Sequence, residues 1–333
     1  MRPVPPERRA AVIDAHMHVN YRGMDADDII GYMDRERIDR CWLLTWEEAD
    51  PPHPFYQHLS IDGVFEAYGK YGDRIIPMYA PDPSRPDAAE RLEDWAKKGI
   101  MGCGELKCVL RWDAPGVDRL LDCVDRLGLP LVFHMEEGRR YFTGRGNGAD
   151  RILSRLMNTT RLGGATGRII EAAAELAGPL KRKKLSMQRS FPGYLLDFAG
   201  LEARLMEYPN IKFVGHGPFF WKGFTAHDDG GKEGVVWRLM ENYRNLHVDL
   251  SASGCFALKK RPALAKRFLD RYSRRIMYGT DNFFIGLREF LDSLNMGADV
   301  RRRIYSENAE SLLASPRGKP GNLRAGRPEK EAA

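Results

Sequence analysis

The segment IDAHMH, residues 13–18, combines the apolar character of a buried strand with two histidines, His16 and His18. Successive side chains of a strand point to opposite faces, so these two histidines project from the same face and can bind one cation. Metal-competent residues at the end of a strand are typical of parallel sheets, which carry active sites at the carboxyl ends of their strands. The segment therefore predicts a buried strand and the beginning of a metal site.

Four further apolar runs place a polar side chain five positions after their first residue. The pairs are Leu129 and His134, Ile211 and His216, Ile276 and Asp281, and Ile100 and Glu105. Histidine and carboxylate ligands with an open position are typical of catalytic Zn²⁺, and Mn²⁺ or Fe²⁺ can occupy the same set. We therefore expect a divalent metal, with zinc favoured, held by His16, His18, His134, Glu105 and Asp281.

Lys107 lies two positions after Glu105 and shares its face of the fourth strand. Both residues are polar where a core strand is normally apolar. Glu105 could bind or bridge metal, or lie directly behind the ligands. Lys107 could be a carboxylated ligand, a cation that binds substrate, or the salt-bridge partner of Glu105.

Short apolar runs alternate with amphipathic helical patterns along most of the 333 residues, which is typical of a parallel sheet covered by helices. Eight such runs are present, at residues 11–18, 40–45, 75–79, 100–107, 129–134, 211–216, 246–251 and 275–280. They predict an α/β (β/α)₈ barrel over residues 1–314, with a long insert at about 136–193 after the fifth strand. Residues 315–333 lack apolar periodicity and are expected to form a flexible basic tail.

The net charge of +6 is concentrated in two segments, with +9 between residues 139 and 193 and +3 in the tail, which leaves −6 elsewhere. An acidic body argues against a nucleic-acid-binding protein, so KRKK at 181–184 supports that function only as a minor alternative. The basic insert could instead pack on the acidic body of a second copy, giving a homo-oligomer. No secretory signal or long apolar span is visible, so we expect a cytoplasmic protein without membrane contact.

Five segments together resemble the amidohydrolase superfamily. They are DAHMH at 14–18, the strand-end His134, VGHGP at 214–218, YGTDNFF at 278–284 and YSENAESLL at 305–313. The similarity covers roughly residues 11–314 and is greatest to the amidohydrolase-related branch, which includes enzymes like aminocarboxymuconate-semialdehyde decarboxylase. The resemblance implies a distorted TIM barrel with a divalent metal at its carboxyl end.

The resemblance also implies residue roles. His16, His18, His134 and Asp281 would bind the metal, and Asp281 would accept a proton from the attacking water. His216 corresponds to a histidine that contacts the substrate or water in mononuclear members and binds a second metal in binuclear ones. From the residues alone, His216 could also stabilise the oxyanion or protonate the leaving group.

We expect a metal-dependent hydrolase that cleaves a C–O or C–N bond, as in a lactone, ester or amide, in a small carboxylate-bearing substrate. Arg139 and Arg140 follow His134 closely and could bind that carboxylate, although a solvated loop or a subunit contact explains them equally well. Trp221 could wall the substrate, or it could be packed in the interior. The alternative reaction is metal-dependent, non-oxidative decarboxylation of a small aromatic or muconate-like acid by the same residues.

Overall fold

A computed structural model describes residues 11–47, 58–142, 188–226, 232–282 and 286–313, without the side chains of 139–142 and 188–190. All eight predicted strands are present in this part of the chain. They are β1 Ile13–Met17, β2 Arg40–Leu43, β3 Ile75–Pro77, β4 Cys103–Leu106, β5 Leu131–His134, β8 Phe213–His216, β9 Leu246–Asp249 and β10 Ile276–Met277. Two strands, β6 Glu136–Phe142 and β7 Gln188–Tyr194, were not predicted and pair with each other.

Backbone hydrogen bonds connect the eight parallel strands into a ring. One sheet has the order β1-β2-β3 and the other β10-β9-β8-β5-β4. Between β3 and β4, Met101 N–H donates to Pro77 O at 2.8 Å and Tyr79 N–H donates to Gly102 O at 3.1 Å. Between β10 and β1, Ala15 N–H donates to the Tyr278 carbonyl at 2.9 Å. These bonds join the edges of the two sheets, and the predicted barrel is confirmed.

Helices follow most of the barrel strands. They are α1 Ala26–Arg35, α2 Ile61–Tyr71, α3 Ala88–Lys98, α4 Pro115–Leu127, α5 Phe198–Glu207, α6 Pro218–Lys222, α7 Val235–Asn242, α8 Ser253–Lys259, α9 Pro262–Arg271, α10 Leu287–Ser293, α11 Ala298–Arg302 and α12 Asn308–Leu313, with a π-helical turn at Arg303–Glu307. Their ends follow the local sequence. Asp25 caps α1 by accepting from Asp28 N–H, and α4 begins at Pro115 and ends before Gly128, whose φ of 67° favours glycine.

The barrel strands carry buried side chains on both faces, as expected for parallel strands covered by helices. One apolar cluster contains Trp42, Ile76, Val132 and Val214, together with Leu312 of α12. Because side chains alternate along a strand, Val132 shares a face with His134, and Val214 shares a face with His216. Apolar packing therefore continues directly below two of the strand-end histidines.

The chain divides into two compact units. The described residues of the first are 11–47, 58–136, 194–226, 232–282 and 286–313, which include the barrel strands. The second contains 137–142 and 188–193 of the described residues, all within the predicted insert. The rest of the insert, including KRKK at 181–184, and the tail at 315–333 lie outside the described residues. Within the described ranges, every helix is too short or too polar to cross a membrane.

Candidate metal centre

The carboxyl ends of the barrel strands bring six predicted residues into one buried cluster. His16 lies in β1 and His18 directly follows it, while the other four belong to separate strand ends. Those four are Glu105 of β4, His134 of β5, His216 of β8 and Asp281 after β10. Residues far apart in sequence meet here because parallel strands of a barrel end at the same face.

Four of these side chains direct donor atoms at a common point. The Nε2 atoms of His16 and His18 are 3.2 Å apart. Glu105 Oε2 lies 3.7 Å from His16 Nε2 and 3.4 Å from His18 Nε2. Asp281 Oδ1 lies 3.9 Å and 3.3 Å from the same two nitrogens.

These spacings fit the ligands of a divalent cation. Zinc–nitrogen and zinc–oxygen bonds of about 2.0–2.2 Å place tetrahedral ligands about 3.4 Å from one another. The measured separations of 3.2–3.9 Å lie around that value. Glu105 Oε2 is buried and accepts no hydrogen bond among the described residues, and the Lys107 ammonium lies 3.0 Å away in an ion pair. A cation would satisfy this buried oxygen.

His134 belongs to a second group of donors that shares Glu105 with the first. Its Nδ1 is 2.6 Å from Glu105 Oε1, which is also 3.6 Å from His216 Nε2. The donor atoms of Glu105, His134 and His216 all lie within 4.8 Å of one another. Glu105 therefore faces one donor group with each oxygen, an arrangement that suits one cation or two bridged cations.

Asp249, at the end of β9, holds two of the histidines. It is fully buried, and its two oxygens lie 3.2 Å from His16 Nδ1 and 3.1 Å from His216 Nδ1. Ser251 donates to it through its backbone N–H at 3.0 Å and through its hydroxyl. An ionised carboxylate only accepts hydrogen bonds, so the facing Nδ1 atoms carry hydrogen and both Nε2 atoms point to the cluster.

Sequence reasoning did not assign Asp249 to the site. The available signal was a carboxylate in the apolar segment LHVDL at 246–250, at the end of a predicted strand. His247 in the same strand contacts the Asn245 carbonyl through Nδ1 at 3.3 Å. The side chains of His247 and Asp249 share a face of the strand, which predicts a structural pair, but the two residues contact different partners.

The backbones that carry the donors are also fixed by buried polar side chains. Asp14 accepts from Thr280 N–H at 3.0 Å and from the Thr280 hydroxyl at 2.7 Å. Asn282 accepts from His18 N–H at 2.8 Å and donates to the His18 carbonyl at 2.9 Å. Both pairs connect β1 to the segment after β10, and they fix the positions of His16, His18 and Asp281 relative to one another.

An aromatic wall borders the donors on the side of β2. The Trp46 ring lies 4.4 Å from the His18 ring and 5.3 Å from the Tyr21 ring, in edge-to-face contacts. The Lys107 ammonium lies 3.5 Å from the centre of the Trp46 ring. Glu47, the next residue, instead pairs with Arg91 and accepts from the Tyr79 hydroxyl at 2.9 Å, which gives it a structural role outside the donor groups.

Neighbouring charges shift the pKa values of His16 and Glu105 in the direction opposite to burial. Burial alone would lower the pKa of His16, but the carboxylates of Asp249 and Glu105 raise it well above its ordinary value. Burial would raise the pKa of Glu105, yet Lys107, His134 and His16 hold it well below its usual range. Burial and the charge of His16 lower the pKa of His216, in spite of Asp249. The free protein thus keeps a proton on His16 where a metal ligand must have none.

Metal binding at neutral pH is therefore expected to release protons from His16 and, if it also binds the metal, from His134, whose pKa is, in spite of burial, raised by Glu105 and Glu136. Because the pKa of His16 is raised, the apparent affinity should increase as the pH rises towards that pKa. His216, with its lowered pKa, should release none. Calorimetric titration with Zn²⁺ in buffers of different ionisation enthalpy measures the released protons. An affinity that stays constant from pH 6 to pH 8 would contradict this assignment of charge.

Asp249→Asn is expected to lower the metal affinity by about 10–100-fold, the usual effect of removing a group that orients ligands. An amide cannot accept hydrogen bonds from both histidines through oxygen atoms. Competition titration against a chelating dye measures the change. Asp122→Asn is the matched control, since Asp122 also accepts a hydrogen bond, from the Tyr208 hydroxyl at 2.9 Å, but lies outside the donor groups. Equal affinities of the two variants would refute the role of Asp249.

The predicted substrate contacts have different placements. The backbones of Arg139 and Arg140 lie in β6, while their side chains are outside the described residues. Trp221 is 2% exposed and packs against Phe220, Phe224 and Phe268. These contacts favour interior packing over contact with substrate for Trp221. Lys107 alone of the four predicted substrate-binding residues has a described side chain beside the donors, 3.0 Å from Glu105.

A parallel barrel with histidine and carboxylate donors at its carboxyl end defines a metal-enzyme architecture. The amidohydrolase family profile matches residues 13–314, so the chain belongs to the amidohydrolase family. This confirms the resemblance found in the sequence motifs. The sequence has no significant match among curated proteins.

Several solved structures share the fold. The 5-carboxyvanillate decarboxylase from Sphingomonas paucimobilis has a TM-score of 0.52 at 13% identity, over 91% of this chain and 99% of that one. The 2,6-dihydroxybenzoate decarboxylase from Rhizobium has a TM-score of 0.52 at 15% identity, over 91% and 98%. An amidohydrolase from Burkholderia multivorans with bound zinc has a TM-score of 0.53 at 13% identity, over 92% and 100%.

Proposed function

We propose that the protein is a metal-dependent hydrolase that uses an activated water to cleave a C–O or C–N bond in a small, carboxylate-bearing compound. The observation that carries the proposal is the convergence of Glu105 and Asp281, at distances of 3.3–3.9 Å, on the Nε2 atoms of His16 and His18, which are 3.2 Å apart. When bound, a divalent ion supplies Lewis acidity, which lowers the pKa of water and polarises a carbonyl group. Histidine and carboxylate donors favour zinc, with Mn²⁺ and Fe²⁺ as alternatives.

Asp281 is the base in this proposal. Although burial raises its pKa, hydrogen bonding to His18 and the charges of His16 and His216 bring it below its usual value, so the carboxylate is ionised at neutral pH. One oxygen faces His18 and the other lies 3.7 Å from His216 Nε2. Asp281 thus accepts the proton of the attacking water while remaining beside the other donors.

His216 returns a proton to the leaving group. Its lowered pKa keeps the ring neutral, and Asp249 directs the Nε2 lone pair toward Asp281. The proton that Asp281 accepts from water can therefore pass to His216 Nε2 and then to the departing oxygen or nitrogen of the substrate. Ser251, whose hydroxyl lies 3.0 Å from His216 Nδ1, supports this ring orientation.

Lys107 is the proposed anchor for the substrate carboxylate. Lys107 is 6% exposed. Its ammonium lies against the Trp46 ring and forms an ion pair with Glu105. A buried cation at the edge of the donor cluster suits an anionic group that must approach within a few ångströms of the reacting carbonyl. Arg139 and Arg140 remain additional candidates for this role.

Lys107 also favours a second candidate reaction, the non-oxidative decarboxylation of a small aromatic or muconate-like acid. A carboxylate held between the donor cluster and this ammonium would lie where the bond to carbon dioxide must break. Two similar structures, from Sphingomonas paucimobilis and Rhizobium, are named as decarboxylases. Their identities of 13% and 15% show a common fold only.

The decisive experiment combines metal content with isotope analysis. Purified protein is stripped with a chelator, reloaded with Zn²⁺, Mn²⁺ or Fe²⁺, and incubated with carboxylate-bearing lactones, esters, amides and aromatic acids in ¹⁸O-labelled water. Label in the product of a lactone or amide, dependent on the metal, supports hydrolysis. Carbon dioxide release without label in the organic product supports decarboxylation. Failure of the protein to bind, or be stabilised by, any of the three metals would refute both reactions.

A further inference from the structure

A cavity lies at the amino ends of β9 and β10, away from the strand ends that carry the metal donors. Its volume is about 340 Å³, within the usual size range of small-molecule sites. We name it the arginine pocket, and its lining residues are Arg244, Arg271, Tyr272, Ser273, Arg274 and Arg275. Four of the six side chains are guanidinium groups, which is an unusual concentration of positive charge around one small cavity.

The floor of the arginine pocket is rigid. Tyr272 is 5% and Ser273 is 6% exposed, and the Tyr272 hydroxyl donates to Glu241 at 3.0 Å. Arg275 is held by backbone carbonyls, donating to Tyr243 O at 2.7 Å and to Met240 O at 2.5 Å. Carbonyl oxygens accept these hydrogen bonds without neutralising the positive charge of Arg275.

The positive charge of the pocket exceeds the negative charge described around it. Glu241 forms an ion pair with Arg271 at 2.9 Å, so its negative charge already has a partner. Arg244 and Arg274 are exposed, and no ion pair to either is recorded within the described ranges. Burial is the main reason why the pKa of Arg275 is lowered, and the charge of Arg244 adds to this effect against the opposing influence of Tyr272 and Glu241.

We propose that the arginine pocket binds a doubly charged tetrahedral oxyanion, as free phosphate or as the phosphate group of a small molecule. Arg244 and Arg274 supply mobile guanidinium groups with the planar, bidentate geometry that matches phosphate oxygens. Arg275 supplies a fixed charge from the floor. An oxyanion between them removes the repulsion among like charges, so binding relieves an unfavourable feature of the free protein.

Calorimetric titration of the metal-loaded protein at constant ionic strength tests this proposal, with inorganic phosphate and glycerol 3-phosphate as probes. We expect saturable binding that Arg244→Ala and Arg274→Ala each weaken by at least about tenfold, since each variant removes charge-assisted hydrogen bonds to the oxyanion. Arg119→Ala is the matched control, because Arg119 is an exposed arginine of α4 that does not line the pocket. Its affinity should stay within about twofold of wild type. Tighter binding of the ester than of phosphate identifies a phosphorylated molecule as the ligand, whereas equal affinities identify free phosphate.

Two further variants separate binding in the arginine pocket from binding elsewhere. Arg274→Lys keeps the positive charge but lacks the planar guanidinium group, so we expect an affinity between those of wild type and Arg274→Ala. This variant also tests the proposal if the alanine variant folds poorly. Phosphate could bind at the metal centre instead, but that binding would survive the double variant Arg244→Ala/Arg274→Ala and would overturn the proposal. So would the absence of saturable binding to wild type, or an equal loss in Arg119→Ala.

Discussion

Replacing His16 and His18 together with alanine is expected to remove the bound metal and nearly all activity. These residues contribute the two Nε2 atoms, 3.2 Å apart, around which the other donors are arranged. Loss of a group that only orients ligands costs about 10–100-fold in affinity or activity, so the loss of two direct ligands should exceed that range. Elemental analysis after dialysis measures the metal, and turnover of a substrate found by screening measures activity.

His247→Ala is the matched control for this double variant. His247 is also a buried strand histidine, but its Nδ1 contacts the Asn245 carbonyl and it belongs to neither donor group. The control should retain the wild-type metal content even if its stability falls. A His16→Ala/His18→Ala protein with unchanged metal content would mean that the metal is held elsewhere.

Glu105→Gln is expected to produce the largest combined effect on stability and metal binding. Its fully buried carboxylate faces Lys107 and three histidines, which are His16, His18 and His134. Removing one partner of a buried ion pair costs about 3–5 kcal/mol, because the opposite charge is left buried without compensation. Both donor groups also lose their shared ligand. We expect a lower free energy of unfolding in urea for the metal-free protein and a loss of metal binding.

Glu47→Gln separates these two effects. Glu47 is a buried carboxylate that pairs with Arg91 and accepts a hydrogen bond from Asp82 N–H at 2.9 Å, outside the donor groups. This variant should lose stability and keep its metal affinity. If Glu105→Gln behaves in the same way as Glu47→Gln, Glu105 is a structural residue and its place between the donor groups has no role in metal binding.

The strand periodicity of the sequence was sufficient to predict the barrel and most of the donor set. Five strand ends carry a histidine or carboxylate after an apolar run, and a parallel barrel has one face at which such residues can meet. The periodicity also predicts that His16 and His18 share a face. None of this requires knowledge of distances, since the regular geometry of parallel strands imposes the convergence.

What the sequence could not provide was the pairing among those residues. The contact between His134 and Glu105 depends on side-chain rotamers, so the separation into two donor groups became visible only in three dimensions. The same holds for Asp249, which serves two histidines from different strands. Trp221 shows the opposite case, in which an apolar run near a site residue packs in the interior because neighbouring aromatic rings surround it.

X-ray diffraction from crystals of the metal-loaded protein, collected on both sides of the absorption edge of the metal, tests the central claim most directly. The account predicts an anomalous difference peak within about 2.0–2.2 Å of His16 Nε2 and His18 Nε2, with oxygens of Glu105 or Asp281 completing the coordination. A single strong peak bound by other residues, with none among these side chains, would contradict it.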